Sequence, residues 1–108
     1  MEIVWSRPAQ ETLTAILKYI ENNFDSNIAL KVYNRINSHV DSLAFFPRVG
    51  VLDSRFSSSG IEVRYIINTP NIIHYIIVEN TIIIVSVLDT RRNPDTIKTM
   101  VTDFLKAL

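Results

Sequence analysis

Residues 61–88 read IEVRYIINTPNIIHYIIVENTIIIVSVL, and this stretch decides the fold. It holds 10 of the chain's 16 isoleucines and only three charged residues, Glu62, Arg64 and Glu79. β-Branched side chains suit the pleated, half-buried surface of a sheet. Asn68-Thr69-Pro70-Asn71 and Glu79-Asn80 are turn chemistry, and they divide the stretch into strands over 61–67, 72–79 and 81–88. Successive strands with short turns between them form an antiparallel meander. The third, Ile82-Ile83-Ile84-Val85-Ser86-Val87-Leu88, is almost continuously apolar. That predicts a central strand covered on both faces.

Toward the N-terminus the period changes. Glu2–Trp5 alternates and reads as a short strand. Ser6 with Pro8 is a helix start, and Ala9, Leu13, Ile16, Leu17, Ile20 and Phe24 line one helical face. Asp25-Ser26-Asn27 breaks it with capping chemistry. Ala29, Val32, Tyr33, Ile36, Val40 and Leu43 mark a second helix, expected to end at Pro47. So short a joint makes the two an antiparallel hairpin. Pro47–Gly60 holds both glycines and four serines, and is expected to be a long irregular segment with a functional or mobile role. Beyond the meander, Asn93-Pro94 restarts a helix with Ile97, Met100, Val101, Phe104, Leu105 and Leu108 as its stripe. That stripe is core or a partner-binding surface. The expected architecture is a single α+β domain over residues 1–108, ordered β-α-α-β-β-β-α. An N-terminal strand and an antiparallel helix hairpin pack on an antiparallel sheet.

Composition narrows the chemistry. The chain has 108 residues, 47% hydrophobic and 20% charged, which excludes a disordered polymer. It has no cysteine and two glycines, so thiolate sites, disulfides and glycine-rich phosphate loops are excluded. No targeting signal or membrane-length apolar run is apparent, and the expectation is a cytoplasmic protein without a membrane partner. Eleven basic residues balance eleven acidic ones. That balance lacks the broad positive footprint of a non-specific nucleic-acid binder.

The two histidines, His39 and His74, carry no metal-ligand spacing, and no metal or other cofactor is expected. His39 reads as a solvated residue on the polar side of the second helix. His74, in mid-strand beside Tyr75, reads as structural before catalytic. Ser57-Ser58-Ser59 reads as a turn. The arginines stand out, seven against four lysines. Arg64 is a lone cation in an apolar strand, and Arg91 and Arg92 follow the last strand. A meander can bring these three to one sheet edge with Arg55 nearby, a grip for phosphate or carboxylate. The alternative is that Arg64 pairs with Glu62, Asp89 or another acid, with Arg91 and Arg92 solvated.

Four segments in order carry a resemblance. They are Ile3-Val4-Trp5-Ser6 with Pro8-Ala9 and Leu13; Phe46-Pro47-Arg48-Val49-Gly50; Val63-Arg64 with Ile73-His74-Tyr75-Ile76; and Ile82–Leu88 running into Asp89-Thr90-Arg91-Arg92-Asn93-Pro94. Together they resemble the RelE/ParE superfamily of toxins from bacterial type II toxin–antitoxin pairs. The resemblance implies a growth-inhibiting toxin neutralised by a cognate antitoxin, whose C-terminal segment wraps over the sheet and helix hairpin. ParE-like members bind DNA gyrase without catalysis of their own. RelE-like members cut messenger RNA on the ribosome without a metal.

Carried over by position, Arg64 matches the family's strand arginine, and Arg91 or Arg92 matches the basic residue closing the last strand. In a RelE-like nuclease these would be catalytic, with His74 and Tyr75 as weaker candidates. In a ParE-like toxin, Arg55, Arg64, Arg91 and Arg92 would bind a partner. RelE-like nucleases carry several cations before the strand arginine, whereas Val51–Val63 offers only Arg55. Asp89 stands where a histidine is common. These departures, and the neutral charge, favour the ParE-like reading. The other readings are a RelE-like endoribonuclease and an inactive α+β interaction module.

Overall fold

The computed structural model describes residues 1–108. Strand β1 (Glu2–Trp5) leads into helices α1 (Arg7–Asn23) and α2 (Ser26–Ser42). Then come β2 (Val51–Leu52), a 3₁₀ segment (Ser54–Ser59), β3 (Glu62–Asn68), β4 (Asn71–Val78), β5 (Thr81–Asp89) and α3 (Pro94–Lys106). One five-stranded sheet has the order β1-β5-β4-β3-β2.

The isoleucine-rich stretch forms the meander, with β3, β4 and β5 paired antiparallel. The sheet is nonetheless mixed, not wholly antiparallel, because β1 lies parallel to β5, Glu2 opposite Thr81 and Trp5 opposite Ile84. β1 ends there, and α1 meets the next stretch of β5 backbone. Ser6 N–H donates to the Ile84 carbonyl, and Val87 N–H donates to Thr12 Oγ1 at 3.0 Å. One backbone amide and one polar side chain near the start of α1 thus fix the helix on the strand. His74 pairs with Ser86 and Tyr75 with Ile84, which leaves Val85 as the extra residue of a β-bulge.

Local chemistry explains the helix ends. Ser6 Oγ accepts from Ala9 N–H, and Asp25 accepts from Asn27 N–H. α2 ends at Ser42, short of the expected Pro47. Leu43, Ala44 and Phe45 each donate three residues back, which tightens the backbone out of the α-helical pattern. Phe24, expected on the buried face of α1, is the C-cap residue and is exposed, and Tyr33 is also exposed.

The sheet has a core on each side. Under the hairpin lie Ala9, Leu13, Ile36, Val40 and Leu43 with Ile66, Ile73, Tyr75, Ile77, Ile82, Ile84 and Val87. On the opposite face Phe56, Val63, Ile76, Val85 and Val101 form a smaller core closed by the 3₁₀ segment and α3. β5 is therefore covered on both faces. The Pro47–Gly60 segment is more ordered than its composition suggests, since it contains β2, paired with β3, and the 3₁₀ segment.

Candidate functional site

Arg64 lies on the helix side of β3, directly opposite Tyr75 on β4. Its guanidinium is engaged. Nε donates to Glu62 at 2.7 Å, and Nη1 donates to the Gly50 carbonyl at 2.7 Å and the Arg48 carbonyl at 3.3 Å. Arg48 also pairs with Glu62. The two arginines hold the Glu62 carboxyl below its ordinary pKa, Arg64 contributing most. Tyr75 completes this knot. Its hydroxyl donates to the Pro47 carbonyl at 2.8 Å and accepts from Gly50 N–H at 3.0 Å. Gly50 sits so close that a β-carbon would run into the Tyr75 hydroxyl and the Tyr65 carbonyl. The Pro47–Gly50 motif thus exists to dock the chain leaving α2 onto Tyr75 and Arg64.

The opposite face carries a second polar centre. Asp53, at the N-terminus of the 3₁₀ segment, accepts from Arg55 Nε at 2.9 Å, Arg55 Nη2 at 2.7 Å and His74 Nε2 at 3.0 Å. Burial pushes the Asp53 carboxyl up, but the bonds from Arg55 and His74 outweigh it and hold the pKa at about 2. Burial lowers the His74 pKa against the pull of Asp53. The imidazole is therefore neutral, with the proton on Nε2 facing Asp53. Tyr65 and Phe56 rings pack against it, 5.5 and 6.3 Å between centroids. Ser86 is its register partner on β5. The Ser86 hydroxyl and His74 Nδ1 are both buried without a hydrogen-bond partner. No hydrogen bond joins Ser86 to His74, and both residues are 0% exposed. A substrate has no route to them.

The third region is a groove of about 640 Å³ between the hairpin and one end of the sheet. Ile16, Ile20 and Val32 form one wall, Val87 and Leu88 the other, with Tyr19 and Phe24 at the open end. Arg35, Asp89, Arg91 and Arg92 rim it. Arg35 donates to Asn68 Oδ1 at 2.7 Å, and Asn68 Nδ2 lies 3.0 Å from His39 Nδ1. That network ties α2 to the end of β3 and gives His39 a partner, where the sequence suggested only solvent. Arg91 forms a two-point pair with Asp89, at 2.9 and 2.6 Å, which holds the Asp89 carboxyl at about 2. Arg92 is exposed and forms no ion pair.

The sequence suggested that Arg64, Arg91, Arg92 and Arg55 converge, and the structure separates them. Arg64 lies opposite Tyr75, four residues of β3 from Asn68, where β3 meets Asn71 and Asp89 through β4. That is roughly 13 Å along the strand direction. Arg55 belongs to the other face with Asp53 and His74. Only Arg91 and Arg92 share a surface, joined there by Arg35 of α2. The reason is legible afterward, since Arg55, Arg64 and Arg91 each pair with the acid two residues before them. Asp53 was not singled out from sequence. The one local signal was its spacing to Arg55; its burial comes from His74, 21 residues on. No group of three histidine, aspartate or glutamate side chains stands close enough to hold a metal ion.

Comparison with known proteins adds the family. A solved structure described as a chromosomal ParDE toxin–antitoxin system from P. aeruginosa is similar in fold, with a TM-score of 0.67 at 20% identity. The match covers 82% of this chain and 95% of the other. No match is found among curated proteins. No helix is long and apolar enough to cross a membrane. The model of the ParE toxin of the type II toxin–antitoxin system parDE matches residues 3–94, from β1 to the first residue of α3. With the strand–hairpin–meander architecture, that match makes this chain a member of the ParE toxin family of type II toxin–antitoxin systems.

Proposed function

We propose that the chain inhibits growth in the cytoplasm by binding a protein target such as DNA gyrase, and that a cognate antitoxin neutralises it. The observation that carries the binding reading over a RelE-like ribonuclease is where the proton-transfer groups sit. Metal-free RNA cleavage needs a base for the 2′-hydroxyl and an acid for the leaving oxygen. His74 and Tyr75 are each 0% exposed and lie on opposite faces of the sheet. Asp89, held at about 2 by Arg91, is ionised at neutral pH and has no proton to give. Arg64 is spent on Glu62 and two backbone carbonyls.

The surface best suited to a partner is the groove between hairpin and sheet, with Arg91 and Arg92 at its rim. Its apolar walls and exposed Tyr19 and Phe24 favour a protein segment. We assign the antitoxin segment to this groove, while Arg64 and Arg55 support the fold away from it.

Controlled expression without an antitoxin tests the reading. Filamentous cells with an induced DNA-damage response are the expected result. Rapid loss of full-length transcripts with a quiet damage response would instead support the ribonuclease.

A further inference from the structure

The groove rim carries three guanidinium groups, Arg35, Arg91 and Arg92, and one carboxylate, Asp89. The four are not equivalent. Asp89 grips Arg91 at two points although the Arg91 side chain is 81% exposed. Asp89 Oδ1 also accepts from Arg91 N–H at 2.8 Å, so the pair is built into the turn after β5. Arg92, the next residue, acts on Asp89 only through space and forms no ion pair. A carboxylate of the chain itself therefore already sits where an incoming carboxylate would bind Arg91.

We propose that Asp89 is a specificity residue of this groove, a resident competitor at Arg91 for the carboxylates of an incoming amphipathic helix. The inference rests on the reading that this groove receives a partner segment. Apolar walls suit the apolar face of a helix, the helix-in-groove mode. The excess of cations at the rim asks for acid in the partner. A partner acid reaching Arg92 meets a cation with no direct ion pair, whereas one reaching Arg91 must displace Asp89. The pair thus weakens binding of helices with acid in the wrong register, discrimination by opposition. A nucleic-acid strand fits less well. The apolar lining is mostly aliphatic, with Tyr19 and Phe24 its two aromatic rings, and three cations are few for a phosphate tract.

The test uses the full chain and a synthetic amphipathic peptide of about 16 residues, ~24 Å long as a helix. Its leucines are spaced i, i+3, i+4 and i+7, with glutamates on both margins. A lysine counterpart and a single-stranded RNA oligonucleotide serve as the other probes. The glutamate peptide binds the wild-type chain, and Ala15→Trp, which fills the groove from the exposed side of α1, abolishes binding. Asp89→Asn keeps an acceptor for the turn yet frees Arg91. It tightens glutamate-peptide binding about threefold at low salt, the scale of an exposed ion pair, and the gain fades by about 0.5 M salt. Binding of the lysine peptide does not tighten. If Ala15→Trp changes nothing, or the glutamate peptide fails to bind, the groove reading itself falls. If Ala15→Trp abolishes binding while Asp89→Asn matches wild type, the groove stands and the role of Asp89 is overturned. Tight binding of the RNA alone would replace the peptide partner with a nucleic acid.

Discussion

Nε2 of His74 lies 3.0 Å from Oδ2 of Asp53, joining the middle of β4 to the segment that follows β2. This bond holds the 3₁₀ segment on the sheet and helps to close the smaller core. Asp53→Ala leaves the buried His74 N–H without an acceptor and is expected to cost about 2–3 kcal/mol of stability. Urea unfolding of the variant against wild type measures it.

The same pair predicts an acid dependence in two windows. His74 has a folded pKa below its ordinary 6.5, so the unfolded chain takes the proton first. Its contribution is complete above about pH 6.5 and falls as pH drops below that value. Asp53 has a folded pKa of about 2 against an ordinary 3.8. Its contribution is present above about pH 4 and is lost as pH falls toward 2. Denaturant unfolding across this pH range should show both declines, and Asp53→Asn should remove the lower one.

Tyr75 and Gly50 make a separate prediction. Tyr75→Phe strips the partner from Gly50 N–H and from the Pro47 carbonyl, and should cost about 1–3 kcal/mol. Gly50→Ala should cost a similar amount, about 1–3 kcal/mol, by forcing a methyl against Tyr75 and the Tyr65 carbonyl. The double variant should lose less than the sum of the two single losses, because both break one contact. Thermal or urea unfolding of the three proteins checks this.

Glu79 opens the β4–β5 turn with φ of 56°, the left-handed region that glycine enters without steric cost. Glu79→Gly is expected to raise stability by roughly 0.5–1 kcal/mol, since relief of the side-chain strain exceeds the added chain entropy. Lower stability in urea unfolding would mean that the turn tolerates Glu79 without strain.

The elements were legible where their causes are local. Isoleucine enrichment and two turns marked β3, β4 and β5, and Ser6, Asp25 and Asn93 marked the helix starts. The parallel slot of β1 was not legible, because a strand pairing across most of the chain has no turn to announce it. Two-residue β2 is too short to show a period. At the site, the local pairing of Arg64 with Glu62 was visible as one of two alternatives. The wide separation of the arginines was not, since it depends on strand register and on which face each side chain takes. The groove was invisible for the same reason. Its residues come from α1, α2 and the ends of β4 and β5, and only tertiary packing assembles them.

DNA supercoiling with purified gyrase and the purified chain measures whether toxicity comes from binding this protein target. The chain is expected to block supercoiling and to accumulate cleaved DNA. Undisturbed supercoiling by gyrase, together with cleavage of ribosome-bound messenger RNA by the same preparation, would contradict it.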